Sequence, residues 1–145
     1  MKKYCIWNNK GGVGKTFLTY SLSTEYAIAN PDKNVIVVDM CPQANVSGML
    51  LGGDGDGENV LGDYISKEIS IASYIIKRQE SPSNLLGTET TFFVKINNKN
   101  KNMPENLYLL PGDTDLDLCS NIIDYLAMSP KLTAWKDTMY ILMSC

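Results

Sequence analysis

Trp7-Asn8-Asn9-Lys10-Gly11-Gly12-Val13-Gly14-Lys15-Thr16 is the stretch from which the fold of this 145-residue chain is read. It sets three glycines and two lysines between an apolar run, Tyr4-Cys5-Ile6-Trp7, and a helix-like run that begins at Lys15. Gly11, Gly12 and Gly14 reach backbone angles closed to residues with a Cβ, so successive N–H groups turn toward one anion and its oxygens approach closely. Lys15 adds a mobile positive charge for the outer phosphates and Thr16 a hydroxyl suited to Mg²⁺. The helix that follows contributes its positive end. Between a strand and a helix, such a loop reads as a phosphate cradle rather than a solvated turn.

Working outward, Tyr4 to Trp7 is short, continuous and apolar, which predicts a strand buried on both faces and ending at the loop. Leu18, Leu22, Tyr26 and Ala29 recur at helical spacing with Phe17 and Ser21 beside them, and Asn30-Pro31-Asp32 stops that helix. Val35-Ile36-Val37-Val38 is β-branched and apolar and predicts the next buried strand, with Asp39 at its carboxyl end. Strand, helix and strand of these lengths make a βαβ unit and place the chain in the α/β class. Ligands of such sheets sit beyond the carboxyl ends of the strands, so Asp39 is expected to face the crevice of Lys15.

The strict pattern G-x-x-x-x-G-K-[ST] needs glycine at position 9, where this chain has Asn9. Lys10-Gly11-Gly12-Val13-Gly14-Lys15-Thr16 instead resembles the deviant Walker A loop of the ParA/MinD family of P-loop ATPases. Farther on, Asp39, Pro42, Gln43 and Asn45 match the Asp-x-Asp-Pro-Gln-x-Asn that closes the second strand of ParA-type (ParA/Soj) partition ATPases. Cys41 stands where that pattern has its second aspartate. Asn106-Leu107-Tyr108-Leu109-Leu110-Pro111-Gly112-Asp113 also looks like the third core strand of ParA-type proteins, which leads to a loop near the nucleotide.

The resemblance implies a P-loop NTPase-like three-layer α/β/α domain with a mainly parallel sheet, of which residues 1–145 are the N-terminal part, lacking the C-terminal strands. It implies ATP and Mg²⁺ as cofactors, bound by Lys10, Gly11, Gly12, Val13, Gly14, Lys15, Thr16 and Phe17. Thr16 would hold Mg²⁺ directly and Asp39 through water. Lys10 would be the signature lysine that reaches across a nucleotide-sandwich homodimer to the partner's phosphates, which makes Lys10 and Asp39 the catalytic candidates. Two departures bear on activity. A neutral thiol at Cys41 cannot accept a proton from water as a carboxylate can, so the chain is expected to bind ATP–Mg²⁺ better than it hydrolyses it. Phe17 replaces a hydroxyl residue that touches the α-phosphate, a loss of about 1 kcal/mol of binding; on its own terms Phe17 reads as a core residue packed under the loop.

The rest of the chain reads more plainly. Met40 to Asn45 turns the chain into a short helix over Val46 to Leu51. Gly52 to Asn59 is a glycine and acid stretch that lacks the register and distal glutamate of a calcium loop, and is taken as an exposed loop. Val60 to Ile76 carries the apolar spacing of one or two amphipathic helices. Thr90 to Ile96 has strand composition, and 97–106, rich in Asn and Lys, is an exposed loop whose lysines either touch an anionic partner or are simply solvated. Leu107 to Leu110 predicts a short buried strand, and Leu116 to Leu126 a helical face ended at Ser129-Pro130. Met139 to Met143 is either the start of the strand that ends in the Walker B aspartate or the end of a helix from Thr133.

Composition sets limits. Hydrophobic residues make up 44% and charged residues 20%, as in ordinary globular domains. The net charge of -3 gives no bulk attraction for nucleic acid. Four scattered cysteines and no histidine suggest neither a zinc site nor a disulfide framework. No run approaches the roughly 18 apolar residues of a membrane span, so a cytoplasmic chain with no membrane partner is expected. The resemblance then implies a nucleotide-dependent switch in plasmid or chromosome partition, partnered by a ParB-like centromere-binding protein and non-specific DNA. The alternatives are another positioning ATPase of the MinD/ParA superfamily, or a nucleotide-binding remnant that serves as an interaction module.

Overall fold

The computed structural model describes residues 4–8, 10–52, 55–80 and 89–119. After the glycine loop come α1 (Lys15–Ala29), β1 (Val35–Val38), α2 (Asn45–Leu51), α3 (Asp56–Ser66) and α4 (Ile71–Glu80). Two 3₁₀ turns, Glu89–Phe92 and Ile96–Asn98, flank β2 (Val94–Lys95), and β3 (Leu107–Leu110) completes the order. The sheet runs β1-β3-β2. β1 lies parallel to β3 with Val35 opposite Leu107 and Val38 opposite Leu110. β2 is antiparallel to β3, Val94 opposite Leu109. The chain is thus α/β with a small mixed sheet of three strands.

Alternation along the strands sends side chains to two cores. Val37, Leu107, Leu109 and Val94 join Ala27, Leu50 and Leu61 in one. Leu110 joins Ile71, Ile75, Phe92 and Leu116 in the other, where the rings of Tyr74 and Phe92 meet edge to face at 5.3 Å. Helices therefore lie on both sides of β3, the strand buried most completely.

α1 returns the chain to the start of β1, and Asn106 fixes that return. Its Nδ2 donates to the carbonyls of Ala27 at 3.0 Å, Asn30 at 3.0 Å and Lys33 at 2.8 Å. Its own carbonyl accepts the Val35 N–H at 2.9 Å. The carboxyl end of α1 is thereby tied to the amino ends of β1 and β3. The opposite end of α1, with the glycine loop, consequently lies toward the end of the sheet from which Asp39 and Pro111 emerge.

Several expectations are corrected. Residues 4–7 form no strand: Tyr4 and Trp7 are largely exposed, and no strand among the described residues pairs with them. Apolar content favours a buried strand only where a ladder partner exists to take the backbone groups. The outer edge of β1 is likewise unpaired among the described residues. Thr90 to Ile96 yields two residues of strand between 3₁₀ turns. The stretch 52–59 is only partly loop, because α3 begins at Asp56 and Gly57 is buried where a Cβ would run into the Gly48 carbonyl. Within 97–106, Met103 is buried and Asn100 Nδ2 donates to the Leu50 carbonyl at 3.0 Å, so that loop is held against α2.

The largest reversal is the orientation of α1. Tyr20 and Ala27 pack on the core and Ser23 and Thr24 are half-buried between them, whereas Leu18, Leu22 and Tyr26 are exposed. At 100° per residue these two stripes lie on roughly opposite sides of the helix. The more apolar stripe is thus the one left uncovered by the described residues. The expected features at Ser129-Pro130 and at Met139 to Met143 lie outside the described residues, as does the part of the expected 116–126 helical face beyond Cys119. No helix among the described residues is long and apolar enough to cross a membrane.

Candidate nucleotide site

The loop that opened the sequence has the backbone the cradle needs. Gly12 and Gly14 hold φ of +70° and +83°, left-handed values that a Cβ would strain. A Cβ added at Gly11, Gly12 or Gly14 would meet nothing within 4 Å, so the loop borders open space on that side. Gly14 is the N-cap of α1 and brings no side-chain acceptor to the first-turn amides. Those amides and the helix dipole face outward together, an arrangement suited to an anion.

Lys15 folds back over the loop, its Nζ donating to the Lys10 carbonyl at 3.0 Å. The Lys10 N–H donates to Asn8 Oδ1 at 2.8 Å, and the Lys10 side chain is exposed. Val13 is exposed and Thr16 half-buried. Phe17 is 68% exposed, which overturns its reading as a core residue under the loop: it lies in the first turn of α1, a turn before Tyr20, where the packing of that helix on the core begins.

Asp39 leaves β1 at its carboxyl end and is 4% exposed. Oδ1 accepts the Cys41 N–H at 3.1 Å. Oδ2 accepts both the Ser47 hydroxyl at 2.7 Å and the Ser47 N–H at 3.1 Å. A carboxylate offers about four lone-pair positions. Three are filled here, and the fourth, on Oδ1, is left for one further donor such as water. Asp39 thus keeps one acceptor position open on Oδ1.

Around it the turn 41–45 is tightly drawn. The Ala44 N–H donates to the Cys41 carbonyl at 2.9 Å, and Ala44 sits at φ +51°, a left-handed angle that a residue with a Cβ occupies at a cost of about 1–2 kcal/mol. Asn45 Nδ2 donates to Gln43 Oε1 at 3.2 Å. Cys41 turns its thiol outward, exposed. From the neighbouring strand, Gly112 packs directly on this turn: a Cβ there would lie 2.9 Å from the Ala44 Cβ and the Cys41 oxygen and 3.0 Å from Asp39 Cγ. Only glycine allows the two strand ends to approach so closely.

A second buried carboxylate stands at the end of β3. Asp113 Oδ2 accepts the Ser70 hydroxyl at 2.7 Å and Oδ1 accepts the Asp115 N–H at 3.1 Å. The Ser70 oxygen also accepts the Ser73 N–H at 3.1 Å at the start of α4. This arrangement anchors α4 to the sheet. No motif or spacing in the sequence singles out Ser47 and Ser70, and Gly112 stands out only as part of the Asn106 to Asp113 strand and turn. Ser47 could have been suspected as a small polar residue in an apolar helix, and Gly112 as the glycine just past a buried strand.

Burial pushes the Asp39 carboxyl above its ordinary value, outweighing the lowering effect of the hydrogen bonds from Ser47 and Cys41. The folded protein then holds this proton more tightly than the unfolded chain. Its contribution to stability is full below the ordinary value of 3.8 and is lost as pH rises through the raised one. Exposed Asp63 and Glu68 are lowered by Lys67 and Lys77 and act in the opposite sense. Denaturant titrations from about pH 4 to 7 on wild type and Asp39→Asn isolate the buried group. The wild-type minus variant stability should fall with pH by at most about 1.4 kcal/mol per unit. A difference that stays flat would show that Asp39 is not desolvated in the fold.

No cluster of three or more His, Cys, Asp or Glu side chains suited to a metal occurs among the described residues. That donor set still fits Mg²⁺, which keeps most of its waters and takes few protein ligands beside the phosphates of a nucleotide. Thr16 would be the direct protein ligand and Asp39 an acceptor for a metal-bound water.

A glycine loop opening a helix, beside a small α/β sheet from whose first strand an aspartate emerges, fits a P-loop, with no strand formed ahead of the loop among the described residues. A family model described as AAA domain matches residues 1–139, and the chain belongs to that family of ParA/MinD-like P-loop ATPases. A protein of Methanocaldococcus jannaschii named "Uncharacterized protein MJECL24" is 33% identical over 106 residues, 72% of this chain and 35% of that protein. The chain thus spans about a third of the length of the curated relative it matches. No solved structure matches it.

Proposed function

We propose that this chain is the nucleotide-binding part of a ParA-like ATPase that binds ATP–Mg²⁺ at residues 10–17. The observation that carries this reading is the conjunction of the open Lys10–Thr16 loop with Asp39-x-Cys41-Pro42-Gln43-x-Asn45 at the end of β1. The loop amides and Lys15 neutralise the phosphates, and Thr16 and Asp39 serve the metal side of the nucleotide. Bound Mg²⁺ would supply charge neutralisation on the phosphates. Lys10, exposed at the mouth of the loop, is free to reach a second subunit in a nucleotide-sandwich homodimer. The cellular role we assign is a nucleotide-dependent switch in plasmid or chromosome partition, with a ParB-like protein and non-specific DNA as partners.

Cys41 favours a second form of this reading, in which the chain binds nucleotide and turns it over poorly. Cys41 is exposed, its backbone N–H donates to Asp39, and it stands at the position where the resembling pattern has a carboxylate. Phosphate release is expected to be slow in wild type and to rise at least tenfold in Cys41→Asp, the scale of a positioned general base. Rapid wild-type turnover that survives Cys41→Ala but disappears in Lys10→Ala would sink the importance given to position 41. Absence of any ATP binding to the full chain would remove the nucleotide reading altogether.

A further inference from the structure

Ser47 is fully buried on α2, within a helix otherwise packed through Val46, Leu50 and Leu51. Its hydroxyl donates to Asp39 Oδ2 at 2.7 Å and accepts the Gly112 N–H at 2.9 Å. A hydroxyl has one proton, and the Gly112 donor fixes where it points. The serine oxygen therefore cannot rotate away from Asp39 without leaving the buried Gly112 amide without a partner. The Ser47 N–H closes on the same carboxylate oxygen at 3.1 Å. Oδ2 is thereby saturated, and the free lone pair of Asp39 is left on Oδ1, beside the single contact from Cys41.

We propose that Ser47 is a positioning residue for the metal side of the nucleotide site: it locks the Asp39 carboxylate in the rotamer that presents Oδ1 to a metal-bound water, and it ties that carboxylate to the loop leaving β3 through Gly112. This rests on the reading of Asp39 as a water-mediated partner of Mg²⁺. Three elements meet at one side chain, since Asp39 ends β1, Ser47 lies on α2 and Gly112 follows β3. Gly112 carries no Cβ because one would press on Asp39 Cγ at 3.0 Å, which keeps its amide in reach of the serine.

The test measures binding of a fluorescent ATP analogue to the full chain, once with Mg²⁺ and once with EDTA, in wild type, Ser47→Ala and Ser47→Thr. The gain in affinity that Mg²⁺ brings should fall about tenfold in Ser47→Ala, one hydrogen bond to a charged group, and be kept in Ser47→Thr. The affinity in EDTA should be the same in all three. A purely structural serine would lower both affinities together, and that outcome overturns the proposal. So does a folded Ser47→Ala that keeps the full Mg²⁺ gain, which leaves the nucleotide reading standing. If wild type itself binds ATP equally with and without Mg²⁺, the reading of Asp39 falls and this inference with it. Should Ser47→Ala not fold, Ser47→Cys, which keeps the shape but offers a weak donor, is read by the same criteria.

Discussion

Lys15→Ala is expected to weaken binding of ATP–Mg²⁺ by about ten- to a hundredfold, the worth of a hydrogen-bonded charge on a phosphate. The fold should not change. Among the described residues Lys15 Nζ reaches the carbonyl of Lys10 in the exposed loop before it, and surface contacts of that kind contribute within about 0.5 kcal/mol. An ammonium has three donors, so Lys15 can keep that carbonyl and still offer hydrogens to a phosphate oxygen. Titration of a fluorescent ATP analogue, with a thermal melt on the same samples, separates the two effects. Unchanged affinity in a folded variant would place the phosphates elsewhere.

The largest loss of stability is expected from Leu109→Ala. Leu109 is fully buried in β3, opposite Val37 on the parallel side and Val94 on the antiparallel side. Removing its branched end takes away buried apolar surface and leaves a cavity that a strand paired on both edges cannot collapse to fill. The cost is about 2–5 kcal/mol, a large share of the roughly 5–15 kcal/mol that holds a domain together. Leu22→Ala is the informative control. Its apolar spacing reads as core, yet Leu22 is 55% exposed, so the same truncation should cost under about 1 kcal/mol. Equal losses at the two positions in urea unfolding would mean that α1 packs by its other face.

These two leucines mark how far the residues alone carry the fold. Apolar spacing located α1, α2 and α3, a β-branched run located β1 and a short apolar run located β3, because local periodicity and breakers such as Asn30-Pro31 act within a few residues of chain. Spacing could not say which stripe of α1 faces inward. The choice fell to the Tyr20–Ala27 stripe, where Asn106, the residue before β3, holds the carbonyls of Ala27 and Asn30 at the end of α1 and of Lys33 in the turn beyond it. Tyr4 to Trp7 failed as a strand for a related reason. A strand is defined by a neighbour, and the neighbour is not a property of the segment.

The candidate site divides in the same way. Lys10 to Thr16 and Asp39 stand out as candidates in the sequence because glycine, lysine and a carboxylate at a strand end have chemical meaning wherever the chain later goes. The residues that hold Asp39 do not. Ser47 is eight positions away on a helix and Gly112 follows a different strand, and they meet only because β1 and β3 run parallel and deliver their carboxyl ends to one place. The sequence by itself determined the glycine-rich loop with its two lysines and the aspartate at the end of a strand. Only the tertiary structure decided how the aspartate is held, since a buried carboxylate takes its orientation from donors that packing brings to it.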